Sequence, residues 1–239
     1  MISLISFLIS QFHLRAYCLA VGDIQIYLYD RILALFSSAP YVAPSSDQGS
    51  FPLDLTPHLT NTSLQIQCGD DNVRLLDELV DCHILSGESN AILRSSDIVT
   101  IIIQMRDVLA DTFKAALQNP VHFQVNQPKL MSTRLAKHQC KVIPNAFELF
   151  GVDFLVSHDP SNTSCPFQTK ILEINSEPAI ELTGPRLTWI LKDLFDSIAE
   201  TCITPFFAEK SDLLTVDPWA VGEVRHHLVK CLDEQVRGI

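Results

Sequence analysis

Asp153, Glu173 and Asn175 are the residues of this chain whose types and spacing best suit chemistry. They lie in Phe147-Glu-Leu-Phe-Gly-Val-Asp153-Phe-Leu-Val and Lys170-Ile-Leu-Glu173-Ile-Asn175, apolar runs that read as buried strands. Acidic and amide groups are expensive to bury unless something pairs with them. Glu173 and Asn175 are two apart, so on a strand both side chains leave one face. The turn-rich segment 158–167 folds the second strand back on the first. All three residues then converge on one point. Two carboxylates and an amide oxygen make a hard, all-oxygen set, as Mg²⁺ takes when it also holds phosphate oxygens. Spacing alone leaves a plainer reading open, in which backbone N–H groups or an arginine satisfy the aspartate. Arg15, in the apolar run Leu14–Val21, raises the matching question. A buried guanidinium needs an anion, and either a ligand or a structural carboxylate such as Asp153 would supply it.

The elements around these residues follow from pattern. Phe12–Val21 and Ile24–Tyr29 read as a β-hairpin around Gly22-Asp23, and Arg31–Phe36 as a short helix or third strand. Segment 37–57 is a Pro-, Ser- and Gly-containing loop, and Leu59–Gln67 a short extended piece. Val73–Leu85 and Ile98–Leu117 have helical spacing, the latter with Asp97 as N-cap. Asn119–Pro144 has no period and carries Lys129, Arg134, Lys137 and Lys141, so it reads as a surface insertion. Arg186–Cys202 reads as an amphipathic helix and Val221–Gln235 as a last helix. Strands, helices, two strands and a helix in that order predict an α+β fold with a largely antiparallel sheet and flanking helices.

Composition narrows the function. With 239 residues, 47% of them hydrophobic and 19% charged, the chain has material for a sizeable core. A net charge of −11 excludes a general nucleic-acid binder, which needs a basic footprint. Seven scattered cysteines without a C-x-x-C pair fit a reducing, cytoplasmic setting. There Asn61-Thr-Ser and Asn162-Thr-Ser would carry no sugar. The apolar start Met1–Ser10 lacks a preceding positive charge and is too short to span a bilayer, so neither export nor a membrane partner is expected. Eight dispersed glycines exclude Rossmann and P-loop motifs, and H-E-x-x-H and G-x-S-x-G are absent.

Five motifs occur in order: Gln11-Phe-His-Leu-Arg15-Ala-Tyr, Ile26-Tyr-Leu-Tyr29, His58-Leu-Thr-Asn61-Thr-Ser63, Asn145-Ala-Phe-Glu-Leu-Phe-Gly-Val-Asp-Phe154 and Ile171-Leu-Glu-Ile-Asn175-Ser-Glu-Pro178. Together, from about Phe12 to Phe207, they resemble the C-terminal two-thirds of the tubulin-tyrosine ligase family, closest in look to its fungal P-body-associated members. The resemblance implies an ATP-grasp fold, incomplete and limited to its C-terminal portion. It also implies an ATP-dependent carboxylate–amine ligase. Such an enzyme phosphorylates a carboxylate to an acyl phosphate, which an amine then attacks. It further implies ATP and Mg²⁺ as cofactors and tubulin or another protein as substrate. Carried over by position, Asp153, Glu173 and Asn175 are metal ligands, Arg15 is catalytic near the phosphates and acyl group, and Thr60 and Asn61 line the nucleotide site. Read from the residues alone, Thr60–Ser63 is equally a turn or cap.

The chain departs from the family at Gln11 and His13, where lysine and aspartate are frequent, and near Leu35, where an arginine is expected. The missing arginine near Leu35 and the acidic charge weaken recognition of acidic tubulin tails, His13 suits the fungal members, and Gln11, Leu35 and the missing first half favour a second reading, a non-catalytic interaction or scaffold domain. The resemblance divides the chain into a non-family segment 1–11, the ligase-like portion 12–207 and a helical tail 208–239. The first ATP-grasp half should precede Phe12, so the chain reads as truncated, with Met1–Ser10 as sequence from a misassigned start.

Overall fold

The computed structural model describes residues 3–4, 6–7, 10–22, 24–42, 54–60, 72–84, 91–118, 146–178, 180, 187–207 and 218–234. Among them, ten strands pair antiparallel in one sheet: β1 (Ser3–Leu4), β2 (Ser6–Phe7), β3 (Ser10–Val21), β4 (Gln25–Tyr29), β5 (Leu33–Phe36), β6 (Val73–Leu75), β7 (Phe147–His158), β8 (Phe167–Asn175), β9 (Val224–Arg225) and β10 (Leu228–Asp233). The helices are α1 (Ser95–Gln118), α2 (Trp189–Ile198) and the short α3 (Thr204–Phe207), which continues α2 through a π-helical turn. The expected α+β architecture with a largely antiparallel sheet is the one observed.

β3 organises the sheet. Its second half pairs with β4 and its first with β5, while β7 runs along its other edge from Leu14↔Phe154 to Val21↔Phe147. Alternate residues feed two cores. Phe12, Leu14, Ala16 and Cys18 pack with Ile98, Ile101, Met105, Leu109 and Phe113 of α1. Tyr17 and Leu19 pack with Tyr27, Tyr29, Leu33 and Leu35 against Ile190, Leu194 and Ile198 of α2. A strand covered on both faces needs a nearly continuous apolar run rather than an alternating one, and β3 has it. This three-layer packing is what permits Arg15 and His13 to be buried in mid-strand.

The hairpin around Gly22 forms as the pattern predicts, with Gly22 at φ +51°; Asp23 lies outside the described residues. Arg31–Phe36 resolves to strand β5. The helix expected from Ile98 starts at Ser95. Asp97 is therefore not its N-cap but accepts the Arg94 backbone N–H at 2.9 Å from inside the first turn, as the third residue of a capping box does. Val73–Leu85 is not a helix. Val73 and Leu75 pair with Leu35 and Leu33, followed by a 3₁₀ turn over Leu76–Leu79.

The expected helix Val221–Gln235 is instead the hairpin β9–β10, and β10 pairs with β4. His226 and His227 both have positive φ, +48° and +59°, the conformation of a two-residue type I′ turn. Trp219 packs on Tyr27 with ring centroids 4.8 Å apart and planes tilted by 48°, and the buried Lys230 ammonium donates to the Trp219 carbonyl at 3.0 Å and to Asp233. Segment 119–144, Asn61 and the rest of 61–67 lie outside the described residues. Among those described, no helix is long and apolar enough to cross a membrane.

Candidate functional site

Strand register builds the site. Arg15 on β3 is opposite Asp153 on β7, and Asp153 is opposite Glu173 on β8, so three charged residues form one row across three strands. The adjacent row is Tyr17, Gly151 and Asn175. Both rows lie on the face that α2 covers further along. A β-bulge between Asp153 and Phe154 leaves Leu172 as the extra residue, so Ile171 and Ile174 pack into the α1 core while Glu173 and Asn175 face the site. Bulges commonly re-aim side chains in this way beside functional sites.

Asp153 is 5% exposed and Arg15 8%. The guanidinium grips the carboxylate with two bonds, Nε donating to Oδ1 and Nη2 to Oδ2 at 2.8 Å, the bidentate geometry that makes such pairs strong. The hydrogen bond to Asp153 holds the Arg15 pKa above its ordinary value, against the opposing effect of burial. Between a ligand and a structural carboxylate as the partner of Arg15, the protein chain itself thus supplies Asp153. Glu173 is exposed, and its Oε1 accepts the Asn175 Nδ2–H at 3.1 Å. That bond leaves the Asn175 amide oxygen and the second Glu173 oxygen as acceptors.

His13 completes the cluster, and motif reasoning noted it only as a departure. Two residues before Arg15, it shares that face of β3 and lies opposite Leu35. Its Nδ1 is 2.6 Å from Thr60 Oγ1, and its buried Nε2 is 3.6 Å from Asp153 Oδ1 without a hydrogen-bond partner. Burial lowers the His13 pKa, partly offset by Asp153, while Arg15 adds to the lowering. The i, i+2 spacing from Arg15 was the available signal. Thr60 reaches the site through His13; Asn61 lies outside the described residues.

The donor set suits a hard dication. Asp153 accepts two hydrogen bonds but has about four lone-pair sites, and Glu173 and Asn175 stand on the same face. Among the described residues no group of three or more His, Cys, Asp and Glu side chains could hold a metal. An ion here would need the Asn175 amide and ligand oxygens to fill its shell, as Mg²⁺ beside a phosphate does. Gly151 lets Pro178 and the Arg15 side chain pack close over the middle of the second row. A Cβ there would stand 3.2 Å from Pro178 Cα and Cβ and 3.7 Å from Arg15 Cδ.

The profile of the tubulin-tyrosine ligase family matches residues 5–211. This chain belongs to that family. Among its relatives is the probable tubulin–tyrosine ligase PBY1 of Saccharomyces cerevisiae, 33% identical over 202 residues, which span 83% of this chain and 22% of the relative. A second is the probable tubulin–tyrosine ligase C12B10.04 of Schizosaccharomyces pombe, 34% identical over 208 residues, 87% of this chain and 41% of the relative. The chain thus spans less than half of either. The fold is similar to the C-terminal domain of K. lactis Pby1, described as an ATP-grasp enzyme interacting with the mRNA decapping enzyme Dcp2. The TM-score is 0.59 at 22% identity, covering 97% of this chain and 51% of that one. The ATP-grasp-type fold implied by the five motifs is therefore the observed one, seen in part.

Proposed function

We propose that residues 12–207 form the C-terminal catalytic portion of an ATP- and Mg²⁺-dependent carboxylate–amine ligase. Such a ligase activates a protein C-terminus or side-chain carboxylate as an acyl phosphate and couples it to an amine. The observation that carries this reading is the row Arg15–Asp153–Glu173 with Asn175 beside it, concentrated on one face of a sheet. Arg15 and Asp153 are buried and satisfy each other, Glu173 and Asn175 present acceptor oxygens beside them at the surface, and family membership suggests a use for the set. Asp153, Glu173 and Asn175 would hold Mg²⁺, which when bound would neutralise phosphate oxygens. Arg15, fixed by Asp153, would set a positive charge beside the transferred group, since positioning and electrostatics supply most of the catalysis in phosphoryl transfer. Thr60 and Asn61 would line the nucleotide site. Tubulin or another protein would be the acceptor, in the cytoplasm. Isothermal titration of a form of the protein that also carries the first ATP-grasp half, with the non-hydrolysable nucleotide AMP-PNP, tests the reading. Mg²⁺-dependent binding that Glu173→Gln removes is expected; equal affinity in that variant overturns it.

A second reading has its own observation. Leu35, 3% exposed, stands opposite His13 where the family resemblance leads one to expect an arginine. A site without that cation suits a scaffold derived from a ligase, and the K. lactis neighbour is described by its interaction with a decapping enzyme. On that reading Glu173→Gln leaves protein-partner capture unchanged, and a form carrying both ATP-grasp halves has no Mg²⁺-dependent nucleotide affinity.

A further inference from the structure

We propose that the groove between α1 and the β7–β8 turn binds an aliphatic polyamine, a ligand of ammonium groups joined by methylene chains. The groove lies on the α1 side of the sheet, where Phe167 joins the α1 core, whereas Glu173 and Asn175 face the other side beyond the bulge. It does not rest on the ligase reading.

Gln104 of α1 braces one wall. Its Nε2–H donates to the Phe167 carbonyl at 2.9 Å, and its Oε1 accepts the Thr169 N–H at 2.8 Å. One side-chain amide thus takes two bonds that a neighbouring strand would otherwise make at that edge of β8, whose only strand partner among the described residues is β7. Helix and hairpin are tied together there, and a cavity of about 450 Å³ stays open beside the tie. That size suits one small molecule rather than a folded partner.

Thr169 points to a ligand. It is 7% exposed, lines this cavity, and its buried Oγ1 has no hydrogen-bond partner. An orphaned hydroxyl is costly, and a donor entering the groove would satisfy it. The charge around it gives the donor's sign. Asp107 and Asp111, one turn apart on α1, and Asp159, just past β7, line the same cavity with no lysine or arginine among the described lining residues. Arg106 donates to Asp107 Oδ1, and the Ser161 N–H and hydroxyl donate to Asp159 Oδ1. The second oxygen of each accepts no bond from a described residue.

Three carboxylates also raise the case for a metal ion, but these do not converge. Among the described residues no three acidic, histidine or cysteine side chains stand close enough to hold one. Spread charges fit a spread cation. Val108 and Phe167 add apolar wall to the cavity, which the methylene groups of a polyamine would cover. The net charge of −11 favours the approach of such a ligand.

Isothermal titration with spermidine, into a form of the protein carrying both ATP-grasp halves, tests the proposal. Saturable binding is expected in wild type. Thr169→Val is nearly isosteric and removes a group that has no partner, so the unliganded variant should melt no lower than wild type while its affinity falls roughly three- to tenfold. Asp111→Asn and Asp159→Asn should each weaken binding roughly two- to fivefold, as partly exposed ion pairs do. Glu200→Gln, an exposed carboxylate on the turn after α2, should change nothing. Absence of saturable binding, unchanged affinity in the pocket variants, or an equal loss in Glu200→Gln overturns the proposal. If Thr169→Val does melt lower, the two aspartate variants decide alone. A lysine tripeptide that binds more tightly than spermidine overturns the assignment to a free polyamine.

Discussion

Arg15 and Asp153, 138 residues apart in sequence, face one another in register across β3 and β7 and share two hydrogen bonds in a site from which water is nearly excluded. Neither charge is tolerable there alone. Arg15→Ala strands a buried carboxylate and should destabilise the fold by roughly 3–5 kcal/mol. Arg15→Lys should recover part of that, because an ammonium matches the charge but not the fork. Urea denaturation of the three proteins checks both expectations. Equal stability of the alanine variant and wild type would mean that the pair does not hold the strands.

Glu173→Gln should separate function from folding. Glu173 is exposed and its bond to Asn175 is a surface one. The stability change should stay within about 0.5 kcal/mol, while Mg²⁺-dependent nucleotide binding is lost. A large fall in melting temperature would show that Glu173 is structural.

The meeting of Asp153 with Glu173 and Asn175 was readable before the fold because a strand period of two and a turn-rich link fix the geometry together; the place of Arg15 opposite Asp153 and the row of Tyr17 and Gly151 came from the register of β3 and β7. Asp153 and Glu173 met as the hairpin pattern implied. Two things were not readable. The bulge at Leu172 changes the facing of Ile171 relative to Glu173, and no residue type announces it. At the C-terminus, Leu228, Val229 and Leu232 fit a helical stripe as well as a bulged strand. The turn before them uses His226-His227 rather than Asn-Gly. His13 was visible only as an unexpected residue, since its partners Thr60 and Asp153 are distant in sequence.

That histidine turn carries strain. His226 at φ +48° lies in the left-handed region, which asparagine enters more readily because its short polar side chain bonds the local backbone. His226→Asn should therefore raise stability by about 0.5–1 kcal/mol. His227 is left in place because its Nδ1 lies 3.3 Å from Asp30. Thermal denaturation reads the gain; a loss would mean that the His226 side chain holds something the backbone argument omits.

Gly151→Ala places a methyl 3.2 Å from Pro178. The segment after Asn175 must give way by tenths of an ångström, at a cost of about 1–3 kcal/mol. Nucleotide binding should weaken with it, because Asn175 is the register partner of Gly151. Unchanged stability and affinity would show that Pro178 moves freely.

Stability should also fall on acidification through the histidine range. Burial lowers the pKa of His13 and of His158 from the ordinary value of 6.5. The unfolded chain therefore takes up protons first, and stability declines as pH drops below about 6.5, levelling once the folded histidines also protonate. Their full contribution is present above that value. Denaturation midpoints between pH 7.5 and 5 should show a shallower slope in His13→Gln than in wild type; an identical slope rules out the His13 contribution.

Crystals of a form carrying both ATP-grasp halves, grown with AMP-PNP and Mn²⁺ in place of Mg²⁺, test the central claim most directly, because manganese is located by its anomalous scattering. The account predicts a peak held by Asp153, Glu173 and Asn175, with nucleotide phosphate oxygens completing its shell. Bound nucleotide with manganese elsewhere, or no peak on this face of the sheet, would contradict it.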